Sequence, residues 1–563
     1  MNWWQHINGY AMTAWELRSA SLISIAILLF GIIVRGSYAQ TELSAMPAIP
    51  SQAGAEPAAA ARSPLMEPYW VGAVQRMSTG GTAGPQPLGF DQAIWDALAH
   101  SPYVKAVLTL PQINQAKVSE ASGIFDPTPF VDSIFNDTSD PVGSTLTTGG
   151  PPRLNETRLD NGLGLKAKNQ LGGSTELTQN LQMRNNNSVF LSPKEQADAK
   201  MVLRLNQPLM RGAGRTYTTS SVRIAEFNTG VSQHEATRKL QFHAQSIASA
   251  YWSLYSARAV ELQAQRGMQR LRYLRDELAK RAEVDGLRSQ LLRAEAALAK
   301  QSSSWARARA DVASAQASLR ALVNSPELAA GPDALMPTTP PIDELFVIDR
   351  QNELEAALAF HPDLLAARDR IKAAATRLKV AENELRPTLN LVMEGYLHGL
   401  NGNYGLGDSL IDQFAQGRPS YSGGLNYQRP YRNTIAKAIQ RERRLELRQL
   451  LLDLDNTMLT VTADVVQAIE TVKATYAELE SAVTSTMAFD AEVRYLDGRW
   501  QNAFIESTQP SLLLDELLNA QNQLIQAENA WARAQAEHMI AFVKLHVATG
   551  MLLNAVHIPI EPY

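Results

Sequence analysis

Residues 97–102 read Ala-Leu-Ala-His-Ser-Pro, and residues 357–362 read Ala-Leu-Ala-Phe-His-Pro, 260 positions later. The same offset joins Pro127, in Phe125-Asp126-Pro127, to Pro387, in Leu385-Arg386-Pro387. It falls to 222 where Pro208 matches Pro430 and Arg272-Tyr273-Leu274 matches Arg494-Tyr495-Leu496. It becomes 226 where Leu291-Leu292-Arg293-Ala294 matches Leu517-Leu518-Asn519-Ala520, and Trp305-Ala306-Arg307-Ala308 matches Trp531-Ala532-Arg533-Ala534. Matches in the same order across both halves indicate one unit written twice. The first half carries 38 extra residues between its prolines, and the second carries four extra before its leucine pair.

Each half reads helix, strands, long helix, helix. Ser101-Pro102 and His361-Pro362 predict helix starts, because proline at the first helical position gives up no needed hydrogen bond. His361 is therefore a boundary residue rather than a metal ligand. Thr216 to Val284 and Thr434 to Asp497 are nearly free of proline and predict helices roughly 100 Å long at 1.5 Å per residue. Leu287, Leu291, Ala294, Leu298, Trp305, Ala308, Val312, Ala315, Leu319 and Leu322 follow four-three spacing. So do Leu513, Leu517, Ala520, Leu524, Ala527, Trp531, Ala534, His538, Ala541, Leu545 and Ala548. This is a heptad seam, the pattern of coiled-coil packing, and its tryptophans read as core residues.

Between the prolines the period is two. Leu163, Leu165 and Ala167 alternate with Gly164, Lys166 and Lys168. Leu177, Leu181 and Met183 alternate with polar residues, as do Met201, Leu203 and Leu205, Leu389, Leu391 and Met393, and Leu425 and Tyr427. A membrane barrel strand needs one apolar and one polar face. One chain supplies too few strands to close a water-filled barrel, and open strand edges cannot lie in lipid. Several chains must therefore contribute. Polar connections such as Asn136 to Asn155 and Gly399 to Arg418 suit exterior loops. Gly172-Gly173, inside the 38-residue surplus, predicts an added hairpin that either adds two strands to the barrel or folds against its rim.

Leu22 to Val34 is an apolar run of 13 residues, preceded by Arg18 and followed by Ser37-Tyr38-Ala39. That order predicts a secretory signal over 1–39, with an uncleaved anchor as the competing reading. Residues 40–89, rich in Ala, Pro, Gly and Ser, predict a disordered leader. The first repeat is expected over 90–325 with strands in 128–209, then a linker over 326–348. The second repeat follows over 349–553 with strands in 388–428, then a tail over 554–563. The chain has 563 residues, no cysteine, and 52 Lys+Arg against 56 Asp+Glu, a net charge of −4. Disulfides and thiol chemistry are excluded, and a basic excess for nucleic acid is absent. No glycine-rich phosphate loop, GxSxG motif or ligand-spaced His/Asp/Glu cluster occurs, so no catalytic residue, metal or cofactor is expected. The rival reading to a membrane channel is a periplasmic coiled-coil scaffold outside the membrane, from which the alternating strands distinguish it.

Over residues 90 to 553 the chain resembles the outer-membrane efflux protein family, TolC type. The resemblance is carried by the two Ala97–Pro102 and Ala357–Pro362 echoes, by Leu205-Asn206-Gln207-Pro208-Leu209-Met210-Arg211-Gly212-Ala213-Gly214-Arg215, by Tyr427-Gln428-Arg429-Pro430-Tyr431-Arg432-Asn433, and by Leu512 to Leu524. It implies an α+β membrane protein: a homotrimer closing a β-barrel in outer-membrane lipid, continued by an α-helical coiled-coil barrel across the periplasm. It also implies a periplasmic adaptor and an inner-membrane pump as partners, serving efflux or type I secretion. By the same resemblance Asp515, Glu516 and Asn519 match the periplasmic gate, where Asn519 departs from an all-acidic pattern. Asp285, Gly286 and Leu287 at one tip, and Gly498 and Leu513 at the other, match adaptor-docking positions.

Overall fold

The computed structural model describes residues 68–72, 86–285, 288–330, 334–342, 348–416, 418–502 and 510–555. The expected signal segment, most of the expected leader, Gly286, Leu287 and residues 556–563 lie outside the described residues. The chain forms two compact units, one of strands and one of helices.

The strand unit comprises Phe125–Pro208 and Asn390–Asn426. Its sheet has six strands: β2 (Thr128–Pro141), β3 (Arg153–Lys168), β4 (Ser174–Asn186), β5 (Glu195–Pro208), β7 (Thr388–Gly402) and β8 (Ser420–Gln428). Their order is β2-β3-β4-β5-β7-β8, so β2 and β8 are the open edges. The pairings from β2 to β7 are all antiparallel. The added hairpin is β3–β4, and it joins the sheet in continuous register. Its turn is closed by Asn169, whose Oδ1 accepts from the backbone N–H of Leu171 and of Gly173. Gly172 supplies the left-handed backbone there, at φ 96°. A ten-residue helix, α7 (Leu406–Ala415), lies in the connection from β7 to β8.

The helical unit begins with β1 (Gln86–Leu88), paired in parallel with β6 (Leu335–Pro337). Helices α1 (Phe90–His100) and α2 (Pro102–Ser122) meet at Ser101, whose extended backbone (φ −61°, ψ 124°) ends one helix and starts the next. Helices α5 (Arg350–Phe360) and α6 (Pro362–Glu384) meet at His361 in the same conformation (φ −62°, ψ 124°). His361 Nδ1 accepts from the Asp363 N–H at 3.3 Å, so the histidine caps α6. The long helices are α3 (Ser220–Asp285), with 66 residues, and α8 (Thr434–Asn502), with 69. Helix α4 (Arg288–Val323) packs along α3, and α9 (Pro510–Ala548) packs along α8. Both α2 and α6 also lie against α3, which gives the long helix partners over much of its length.

The α9 seam is buried from Leu513 through Leu545, including His538. In α4 the seam is mixed. Gln290, Gln301 and Gln316 are buried among its apolar positions, and Gln301 Nε2 donates to the Ala264 carbonyl at 3.2 Å. Such a bond offsets the cost of burying the amide. Gly267 allows this close approach, because a Cβ there would lie 2.7 Å from Ile525 and 3.1 Å from Gln301.

The 40–89 segment departs from the expected disordered leader in two places. Gln86–Leu88 form β1, and Trp70 and Val71 are buried in the largest helical core cluster. Trp70 meets Trp531 edge-on with ring centroids 4.9 Å apart. One aromatic pair buries enough apolar area to hold a short segment that composition alone reads as loose.

Candidate functional site: a two-faced strand wall and the helix tips

Register assigns the side chains of β2 to β7 to one of two faces. Leu165, Leu177 and Leu203 are successive partners and form one apolar row. Val131, Leu163, Met201 and Leu397 belong to the next row on that face, with Gln179 among them. This face is uncovered at the β2 edge, where Val131 is 79 % exposed and Phe135 66 %; in the other edge strand, β8, Tyr421 is 90 % exposed.

The other face is charged. Lys166, Glu176, Arg204 and Glu394 are successive partners across four strands, alternating in sign. Arg204 Nε lies 2.8 Å from Glu394 Oε2, and Lys166 Nζ lies 3.9 Å from Glu176 Oε1. Higher on the same face Lys200 sits 3.9 Å over the Tyr396 ring, and His398 pairs with Asp198. Opposite charges directly across neighbouring strands add to sheet stability, and a water-filled surface solvates what remains. Among the described residues no group of three or more His, Asp or Glu could hold a metal ion. No helix among them is long and apolar enough to cross a membrane.

At the start of α9, Asp515, Glu516 and Asn519 are all exposed. Glu516 and Asn519 are three apart and share one helix face. Asp515 is instead ion-paired with Arg293 of α4. Leu513 is expected both in the seam and at an adaptor-docking tip. Its side chain is buried with Leu274, Leu278, Val493, Leu496 and Leu517, because position 513 belongs to the seam. Leu512 beside it is exposed. Gly498 lies on α8 with open space where a Cβ would point. Asp285 is the last residue of α3.

No family model matches the chain. The outer membrane efflux protein BepC of Brucella suis is 24 % identical over 355 residues, 62 % of this chain and 72 % of that protein. The crystal structure of the outer membrane protein VceC from Vibrio cholerae matches 82 % of this chain and 96 % of its own, at TM-score 0.56 and 15 % identity. The open state of the MtrE outer membrane channel of Neisseria gonorrhoeae matches 82 % of this chain and 89 % of its own, at TM-score 0.56 and 17 % identity. The chain has the outer-membrane efflux channel fold.

Within this efflux-channel fold, sequence reasoning missed one buried polar cluster in the helical unit. Tyr69 donates to Glu528 at 3.3 Å, Arg266 lies 4.0 Å over the Tyr69 ring, and Trp70 Nε1 donates to Gln535 at 3.4 Å. Burial raises the Glu528 carboxyl above its ordinary range, opposed by Arg270 and Arg266. The cluster anchors the entering segment to α9. Glu528 lies just after the seam residue Ala527, so helical spacing alone gave no sign of it.

Proposed function

We propose that three copies of this chain form the outer-membrane exit duct of a tripartite efflux or type I secretion system. The duct is passive: it supplies a continuous wet path across periplasm and outer membrane, while an inner-membrane pump coupled through a periplasmic adaptor supplies the energy. The observation that carries this reading is the six-stranded sheet. It has one apolar face, one charged face and two unpaired edges, and its strands run on in sequence into helices about 100 Å long. Edges β2 and β8 of neighbouring copies pair to close the barrel, with the charged face lining the lumen and the apolar face meeting lipid.

The helices support association too. Leu445, Leu452 and Leu459 of α8 are exposed at seven-residue spacing, a stripe that a second copy would cover. The internal repeat is supported by the backbone. Ser101 and His361 share one conformation at offset 260, and Asn324 and Gly550, at offset 226, both adopt positive φ after their helices. The scaffold reading fails to account for Val131, Phe135 and Tyr421 facing outward, since water would disfavour such a wall.

The decisive test is the mutant with Asp at both Leu203 and Leu391. Outer-membrane fractionation should show loss of the assembled trimer, and normal trimer yield would overturn the reading. At the gate, we assign the ring to Glu516, because Asp515 is held by Arg293 and Asn519 is uncharged. Three copies of Glu516 facing one axis repel unless a counter-ion intervenes. Glu516→Ala should raise basal conductance in planar bilayers, and an unchanged closed-state conductance would remove Glu516 from the gate. The adaptor docks at the tips, around Asp285, Gly286 and Leu287 and around Gly498, with exposed Leu512 in place of buried Leu513.

A further inference from the structure

Helix α7 is amphipathic in the inverted sense. Its buried side is polar: Ser409 and Gln413, one turn apart, are fully covered. Its outer side is apolar, with Ile411 and Phe414 each 62 % exposed. A helix on a protein surface in water buries its apolar stripe and exposes its polar one. Here the arrangement is reversed, and it is held firmly. Gln179 Nε2 donates to Gln413 Oε1 at 2.8 Å, and Gln413 Nε2 returns a bond to Gln179 Oε1 at 3.1 Å. Asn401 Nδ2 donates to Asp412 at 3.1 Å. Gly399 makes the contact possible, since a Cβ there would lie 2.1 Å from the Ser409 carbonyl oxygen and 2.4 Å from the Gln413 nitrogen. Ala197 and Ala199 are fully buried alongside it.

The face on which α7 rests identifies its outer neighbour. Ala199 pairs with Gly399, and Gln179 with Met201, which places all four on the apolar face that carries Leu165, Leu177 and Leu203. The helix lies over β4, β5 and β7, whereas a second copy joins at β2 or β8. Edge β8 is the next strand beyond β7, about 5 Å at the usual spacing, and edge β2 is two strands beyond β4. Along the strand, α7 rests on Gly399, three residues before the end of β7, and reaches Gln179 in the row of Met201 and Leu397, so it covers the last ~10–16 Å of β7.

We infer that α7 is a lipid-facing helix, docked by its polar side on the barrel wall, whose Ile411 and Phe414 insert among the acyl chains of the exterior leaflet. The inference rests on the barrel reading above and extends it. The occupant is lipid, because the apolar side of α7 continues the lipid-facing surface of the sheet.

The absence of cysteine allows a clean test. Single variants Ile411→Cys, Phe414→Cys, Asp408→Cys and, on the bare wall, Leu203→Cys are labelled with a nitroxide in the full chain. They are reconstituted in phosphatidylcholine–phosphatidylglycerol vesicles and read by collision with oxygen and with a nickel chelate. The labels at 411 and 414 should collide several-fold more with oxygen than with nickel, as at 203, and the label at 408 should show the reverse. Nickel preference at both 411 and 414, with oxygen preference kept at 203, overturns the inference and leaves the barrel standing. Dipolar broadening between copies at 411 or 414 overturns it in favour of a neighbouring subunit. Nickel preference at 203 as well overturns both readings.

Discussion

In α9 the large apolar side chains point into protein, and Trp531 is only 4 % exposed. In the sheet they point away from it, as Val131, Phe135 and Tyr421 do. The two regions draw on the same residue types and the same hydrophobic effect. They differ in how far the described residues cover each apolar surface. Helix seams exclude water by closing on one another, whereas outside the patch under α7 the apolar face of the sheet has no cover among the described residues. Helix α7 extends the contrast, since it lies on the wall and yet turns its own apolar side outward.

The largest effect should come from the helical side. Trp531→Ala removes the ring against which Trp70 packs, and should cost about 3–5 kcal/mol by denaturant unfolding. A cost below about 1 kcal/mol would mean that the seam does not depend on this contact. The strand side should discriminate by face. Leu163→Arg, on the apolar face, should cost about 2–4 kcal/mol in urea unfolding from vesicles, while Asn180→Arg, on the charged face, should stay within about 0.5 kcal/mol. Equal costs at the two positions would erase the distinction between lipid and lumen.

The smallest effect is in pH dependence, and it belongs to the helices. His538 is buried against Phe542, 3.0 Å from Thr475 Oγ1, with its Nε2 unpartnered. Burial lowers its pKa, and burial likewise lowers those of His234, His243, His361 and His546. The unfolded chain takes up protons as pH falls through about 6.5, before the folded chain does. The stability that these histidines contribute is therefore complete above that pH and lost as pH falls toward the folded values. The unfolding midpoint should fall between pH 7.5 and pH 5.5, and His538→Gln should make the fall shallower. An identical slope in the variant would remove His538 from the titration.

Much of this architecture is legible in the residues alone. The seam from Leu513 to Leu545 follows from four-three spacing, and the helix breaks at Ser101 and His361 follow from the prolines after them. The alternation at Leu163, Leu177, Leu203 and Leu391 marks one face of a sheet. Other features are not legible there. Pairing between β3, β4 and β5 shows that the added hairpin belongs to the wall, because register depends on partners far apart in sequence. The ion pair of Asp515 with Arg293 depends on how α9 is rotated against its neighbours.

Sequence by itself determined the periods, the duplicated order and the helix starts at Pro102 and Pro362, since each is set by the steric and solvation preferences of residues close along the chain, whereas the expected loops at 136–155 and 399–418 hold strand ends and α7. Tertiary structure alone decided that Tyr69 and Trp70 are anchored, that six strands share one sheet, and that α7 rests on Gly399 with its polar side down. Each of these required surfaces distant in sequence to meet, and the free energy of such a meeting is a property of the pair.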